Sequence, residues 1–313
     1  MKPINIAVAQ FQPKDGDKEY NLSVIETLTA QAKQQGADVI SFHELSITAY
    51  TFLNKLNSSE IDQLSEEIPQ GPSCIKLQKL AAKYQITILS GLLEKENGKY
   101  FNTYVCIDST GLLARYRKIH PFISQYLSAG NEYVTFHLKG WKCGILICYD
   151  NNVIENVRAT VLSGADIIFA PHVTGCTPSP MPGRGFVDHK LWVNRQQHPD
   201  LLRKEFDGRK GREWLLRWLP ARAYDNGVYY IFTNPIGYDG DQLKNGNSMI
   251  LDPFGDIIKE IRSFDNAVAV ASITPDKLTQ AGGYRYRNAR KPELYRDILN
   301  KEHDPTLKPV WME

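Results

Sequence analysis

The sequence predicts a layered α/β fold in which helices cover sheets. Three observations carry the prediction. Short apolar runs alternate with amphipathic helical patterns, the first such group is a β-α-β unit, and hairpin-like strands interrupt the alternation in mid-chain. Residues 4–11 (INIAVAQF) read as a buried strand. Residues 21–35 place Leu22, Ile25, Leu28 and Ala32 on one helical face, with Gly36 where a helix C-cap glycine sits. Residues 37–44 (ADVISFHE) return as a second strand, and such a crossover implies parallel neighbours. Pro72 opens a helix with Cys74, Leu77 and Ala81 on one side, and residues 86–93 form the next strand. Residues 103–108, 111–118 and 132–138 read as antiparallel strands, with turn residues at 96–98 and 109–111. Residues 142–149 (KCGILICY) read as a fully buried strand. A helix carrying Ile154, Val157 and Val161 closes at Gly164, strands follow at 165–170 and 228–233, and a meander covers 247–251, 257–262 and 268–273.

One stretch breaks this order. Residues 178–217 are rich in Pro, Gly and charge, with nine Lys/Arg against five Asp/Glu from Arg184 to Arg217. That is too long for an ordinary loop, so it reads as a lid or a partly helical insertion. Arg184, Arg195, Arg203 and Arg212 would let such a lid greet an anionic substrate; the alternative is a solvated basic helix or a dimer contact.

Composition excludes whole classes of function. In 313 residues, 42% hydrophobic and 23% charged content is that of a globular chain rather than a disordered or fibrous one. A net charge of +2 is too balanced for nucleic acid to be the main partner. No apolar run reaches a membrane span, and the N-terminal run is too short for a signal-peptide core. Five sparse cysteines, at 74, 106, 143, 148 and 176, argue against a disulfide framework and for a reduced, cytoplasmic setting.

Three residues are out of place where they stand. Cys148 ends an apolar strand and precedes the polar Asp150-Asn151-Asn152 loop; it is either a buried small hydrophobe or a nucleophile beside free backbone amides. Glu44 ends an apolar run, and so has either reached the surface or is held in a pocket by a cation, while its neighbour His43 reads as a structural histidine. Lys118 ends a basic strand and alone reads as a solvated edge. Cys143, five residues before Cys148, reads as core, as do Cys74 and Cys106. All three candidates fall at C-terminal strand ends, where α/β sheets build sites. Together they have a use: the carboxylate takes the thiol proton, the ammonium steadies an oxyanion, and the thiolate attacks a carbonyl or nitrile carbon.

AVAQFQP, FHELSITAY, YRKIHPF, GILICYD and RAYDNGVYYIFTNPIG, in this order and spacing, resemble the blocks of the nitrilase (carbon–nitrogen hydrolase) superfamily, over residues 3–275. The resemblance implies a four-layer α-β-β-α sandwich that commonly dimerises, and metal-free, cofactor-free hydrolysis of non-peptide C–N bonds. It implies a domain over residues 1–275 with an insertion at about 178–217, and a tail over 276–313 that supplies oligomer contacts. By position, Glu44 is then the general base, Lys118 the oxyanion cation and Cys148 the nucleophile, with the Tyr149 amide as a second oxyanion donor. Cys148-Tyr149-Asp150 is similar to amidase and carbamoylase members, whereas true nitrilases resemble Cys-Trp-Glu. The implied partner is a small amide or ureido substrate, with a homodimer or higher homo-oligomer and neither membrane nor nucleic acid. Many amidase-like members carry a second glutamate between the lysine and the block at Gly130; residues 119–130 contain no acid, and Gln125 is the nearest polar candidate there. His172 and Thr174, after the 165–170 strand, are placed to line the pocket. Asp150 and Asn152 shape the nucleophile loop, Arg222 and Asn226 read as support, and Gly246-Asn247-Ser248 is a turn that faces the site.

Two other readings compete. A metal-dependent phosphoesterase on a similar sandwich would use Glu44, Asp150, Asn152, His172 and Asp252 as ligands. A silent binding protein would keep the fold without turnover.

Overall fold

The computed structural model describes residues 1–302. The first half of the chain builds one sheet. Its elements are β1 (Ile4–Gln10), α1 (Lys18–Gln34), β2 (Val39–Ser41), α2 (Ser58–Leu64), α3 (Pro72–Tyr84), β3 (Thr87–Glu96), β4 (Lys99–Asp108) and β5 (Gly111–Arg117). The second half builds the other: β6 (Thr135–Leu138), β7 (Trp141–Ile145), α4 (Ile154–Leu162), β8 (Ile167–Pro171), α5 (His189–Val193), α6 (Pro199–Asp207), α7 (Arg212–Leu215), α8 (Leu219–Asn226), β9 (Tyr229–Thr233), the hairpin β10 (Ile236–Asp239) and β11 (Gln242–Asn245), β12 (Met249–Leu251) and β13 (Ile257–Glu260). The chain then returns as β14 (Ala267–Ile273) and ends in α9 (Asp276–Gln280), α10 (Gly282–Asn288) and α11 (Pro292–Leu299).

The first sheet runs β14-β1-β2-β3-β4-β5 and the second β13-β12-β9-β8-β7-β6. β1 and β2 are parallel, as the crossover through α1 requires, and so are β2 and β3. β3, β4 and β5 are joined by tight turns and pair antiparallel. β14 closes the first sheet from the far end of the chain, with Ile273 opposite Ile4.

Side-chain alternation makes the four layers. Along β1, Ile4, Ile6 and Val8 face one way and Ala7 and Ala9 the other. The first set packs with Tyr104, Tyr116, Ile145 and Phe169 into a core between the two sheets, which continues through the second sheet to Val157 and Val161 of α4 and Ala223 of α8. The second set packs against Ile25 and Leu28 of α1 and Leu77 and Ala81 of α3. The architecture is thus an α-β-β-α sandwich. Trp141 is fully buried in the central core, and its indole N–H donates to the Lys2 carbonyl at 2.9 Å.

The strand expected over residues 37–44 is only three residues long, and the one over 142–149 stops at Ile145. Both shortfalls lie where the chain turns into the site. The hairpin β10–β11 escapes the apolar-run criterion because its sequence is too polar; the two-residue Gly240-Asp241 loop between the paired Asp239 and Gln242 is the signal that marks it. The 178–217 stretch is partly helical, containing α5, α6 and α7. Of the C-terminal tail, residues 303–313 lie outside the described residues. Among the described residues, no helix is long and apolar enough to cross a membrane.

Candidate active site

Glu44 follows β2 by three residues, Lys118 follows β5 by one, and Cys148 follows β7 by three. The first two leave one sheet and the third leaves the other, so the three meet at the rim where the sheets face each other. Glu44 and Lys118 have fully buried side chains, with Lys118 Nζ 2.6 Å from Glu44 Oε1. Asn102 Nδ2 donates to the same oxygen at 2.6 Å, and the Val173 N–H donates to Oε2 at 3.2 Å. Asn102 also fixes the lysine, since its carbonyl accepts from the Lys118 N–H at 2.9 Å.

The glutamate reaches this position through a sharp turn. Leu45 adopts a left-handed φ of 46°, and the turn presses on β3 at Gly91. A Cβ on Gly91 would sit 2.2 Å from the Leu45 nitrogen, so only glycine lets the backbones approach this closely.

Cys148 opens a 3-10 turn over Cys148–Asn151 and itself has a φ of 48°. A non-glycine residue in this region is strained and needs surrounding structure to hold it. That structure is present. Asn151 Nδ2 donates to the Leu146 carbonyl at 2.7 Å and to the Cys148 carbonyl at 3.1 Å, while Tyr230 donates its hydroxyl to Asn151 Oδ1. From α8, Arg222 Nε and Nη2 donate to the carbonyls of Asn151 and Asn152 at 2.9 and 3.0 Å. Asp150 is fully buried and ties the turn to the lysine loop: it accepts from the Tyr116 hydroxyl at 2.8 Å, the His120 N–H at 2.9 Å and the Ile119 N–H at 3.2 Å, and pairs with His120 Nδ1 at 2.8 Å.

Burial, and then the negative charge of Glu44, push the Cys148 thiol up to about 12, with Lys118 opposing. Cys148 is therefore a neutral thiol at pH 7, with its sulfur 4.0 Å from the Val173 carbonyl. Burial works against the charge of Lys118, but Glu44, with Tyr50, Cys148 and Asp150 behind it, holds its pKa well above the ordinary lysine range. The arrangement can move a proton from sulfur to carboxylate as sulfur attacks, beside a fixed positive charge.

Cys148 opens onto a cavity of about 680 Å³, also lined by Tyr50, Phe122, Tyr149, Thr174, Trp214 and Lys244. This lies within the range of small-molecule sites. Of the expected pocket residues, Thr174 and Tyr149 line this cavity. His172 and Gln125 do not line it. His172 is buried behind the nucleophile turn, 3.2 Å from Asn151 Nδ2 and packed on Trp218 and Phe232, and burial drives its pKa well below the ordinary histidine range. Gln125 is exposed on the loop after Lys118. His43 is buried against Phe11, with Nδ1 2.9 Å from the Glu44 carbonyl oxygen. Ser248, after the 246–248 turn, is buried and hydrogen-bonded to Ala9 and Asn234 instead of meeting the cavity.

Of the four insertion arginines, only Arg184 lines the cavity. Arg195 stacks on Trp192, Arg203 pairs with Asp207, and Arg212 with Glu260. The oxygen and nitrogen ligands of the phosphoesterase reading are dispersed: Asp150 serves the lysine loop, Asp252 pairs with Lys277 at 2.6 Å, and no metal-holding group of three His, Cys, Asp or Glu exists among the described residues. Sequence reasoning missed Asn102, Tyr50 and Lys244. Lys244 carried a signal, a lysine inside the run Leu243 to Asn245 just before the 246–248 turn.

The carbon-nitrogen hydrolase family model matches residues 5–282. An N-carbamoylputrescine amidase from Solanum lycopersicum is 26% identical over 97% of this chain and 98% of its own length. A nitrilase from Pyrococcus abyssi is 25% identical over 86% of this chain and 89% of its own. The amidase from Nesterenkonia sp. AN1, solved in complex with acrylamide, superposes with a TM-score of 0.69 at 20% identity, over 94% of this chain and 97% of that one. With the family match spanning both sheets and all three strand-end residues, the chain belongs to the carbon-nitrogen hydrolase family and is an amidase-like hydrolase.

Proposed function

We propose that this protein hydrolyses a small amide or N-carbamoyl compound through a thioester on Cys148, with Glu44 as general base and Lys118 as oxyanion partner. The observation that carries the reading is the Glu44–Lys118 pair, fully buried at 2.6 Å beside a thiol that opens onto the cavity. A buried ion pair is weak support for a structural role, because hydrophobic replacements are often as stable. Its position beside the one cysteine on the cavity wall gives it a chemical use.

On this reading the residues act in turn. Glu44 takes the Cys148 proton as sulfur bonds to the carbonyl carbon. Lys118 and the Tyr149 amide steady the oxyanion. The C–N bond breaks, and the leaving nitrogen takes the proton back from Glu44. Water then gives a proton to Glu44 as it adds to the thioester, the C–S bond breaks, and the proton returns to sulfur. The Solanum relative is named for an N-carbamoyl substrate, which together with the Cys148-Tyr149-Asp150 sequence favours amide and carbamoyl groups over nitriles.

The test is intact-mass spectrometry of protein quenched with short amides, ureido acids and nitriles. An acyl or carbamoyl adduct on the wild type, absent from a folded Cys148→Ala variant that has lost turnover, is the expected result. Turnover retained by Cys148→Ala would remove the nucleophile from the reading.

A further inference from the structure

Lys244 is the unexplained residue of the cavity. It projects from β11 and is only 1% exposed, yet forms no ion pair among the described residues. Its Nζ donates to Gln242 Oε1 at 2.6 Å, a neutral acceptor. Asp239 acts on it through space, but that carboxylate is engaged by the Tyr50 and Thr51 N–H groups, each at 2.9 Å, and by the Thr51 hydroxyl. Lysine is almost never fully buried unless paired. The cost of burying it shows as a pKa pulled below the ordinary lysine range, chiefly by desolvation.

A second cation stands on the same side. Arg184 lies with its guanidinium 4.0 Å from the Trp214 ring centroid. It donates to the Lys210 carbonyl at 2.6 Å and the Thr177 hydroxyl at 3.4 Å, both neutral, and forms no ion pair among the described residues. Lys244 and Arg184 both line the cavity onto which Cys148 opens. No Asp or Glu among the described residues lines the cavity. Segment 119–130, on the lysine side, supplies no acid either. The wall carries two cations and the proposed nucleophile, and the carboxylate behind it, Glu44, is already paired with Lys118.

We propose that Lys244 and Arg184 form an anion subsite, so that the substrate carries a carboxylate at the end remote from the C–N bond that Cys148 attacks. The inference rests on the hydrolase reading above. The bound carboxylate supplies the counter-charge that Lys244 lacks and accepts charge-assisted hydrogen bonds from both residues. The same wall rejects a substrate whose remote end is an ammonium, such as N-carbamoylputrescine, because like charges in a desolvated pocket repel.

The experiment compares three ureas of matched length: 4-ureidobutyrate, butylurea and N-carbamoylputrescine. Binding is measured by calorimetry on the Cys148→Ala protein and kcat/KM on the Cys148 protein, each with and without Lys244→Met, a replacement of similar length that keeps the site filled. Arg184→Gln, half-buried and less exposed to folding failure, is run beside it, and thermal melts confirm that each variant folds. The acid should bind tighter than the neutral urea by about 30-fold or more, with the cation weakest, and either substitution should collapse the acid-over-neutral ratio. Equal binding of acid and neutral ureas, or a ratio unmoved by both substitutions, overturns the subsite. Tight binding of the acid with no turnover of any urea, amide or nitrile overturns the hydrolase reading and leaves the subsite standing.

Discussion

In the proposed mechanism, Cys148 holds its proton until it attacks. With the thiol pushed up to about 12, direct ionisation at pH 7 is negligible, so attack must be coupled to proton transfer to Glu44. Glu44 has a second part in this reading, because its charge is the first among the influences that hold the buried Lys118 ammonium against desolvation. Glu44→Gln removes both at once. Single-turnover acylation should fall by about 10²–10⁴-fold, the usual worth of a positioned general base. The same substitution leaves Lys118 buried without a counter-ion, a loss of about 3–5 kcal/mol where such pairs are broken. Rapid-quench kinetics beside denaturant unfolding separates the effects, and wild-type acylation in Glu44→Gln would end the assignment of Glu44 as base. In the sequence Cys148 and Glu44 stand out as polar groups at the ends of apolar runs, whereas Lys118 ends a basic strand and stands out only beside the other two. Asn102 was not legible, since nothing within β4 distinguishes an asparagine that holds a carboxylate from one that does not; its role exists only once β4 lies beside the turn at Glu44.

At the scale of the element, the turns matter more than the strands. Period-two alternation placed Cys148 on a strand through residue 149, but the strand ends at Ile145 and the cysteine sits in a left-handed turn. The apolar run GILIC contains no turn signal. The turn is imposed by Asn151, by Tyr230 and by Arg222, the last 71 residues further along the chain. Glu44 is placed in the same manner, by the press of Leu45 on Gly91, which local sequence reads as an ordinary strand glycine. Gly91→Ala tests whether that contact positions the base. The added methyl meets backbone at 2.2 and 3.0 Å, which cannot rotate aside. Overpacking of this kind costs about 1–3 kcal/mol. Because displacement of a reacting group by about 1 Å can cost about 10²-fold, kcat should fall further than the loss of folded protein explains. Thermal melts with kcat measured well below the midpoint decide the matter; unchanged kcat with a lowered midpoint would make Gly91 a packing residue only.

For the whole molecule, the sandwich was legible from alternating faces, whereas which strand of one sheet lies over which of the other was not, because apolar faces carry no address. The way the layers close has a consequence for stability. It seals His43 against Phe11 and His172 between Trp218 and Phe232, both as neutral rings. Burial lowers His43 to about 4 and His172 well below the ordinary 6.5, where the hydrogen bond of His43 to the Glu44 carbonyl only partly offsets it. A group that is harder to protonate when folded lets the unfolded chain bind more protons below its unfolded pKa. The two histidines therefore take nothing from stability above about pH 6.5, and stability falls as the pH drops from there toward the folded values. Each contributes a slope of up to about 1.4 kcal/mol per pH unit in that window, and the two together up to about 2.7. Guanidinium unfolding at pH 7.5, 6 and 5 should show this decline at constant m-value, and His172→Asn, which keeps a polar partner for Asn151, should flatten it by about half. A stability that stays level from pH 7.5 to 5 would mean that the layers open enough to let these rings take up protons in the folded state.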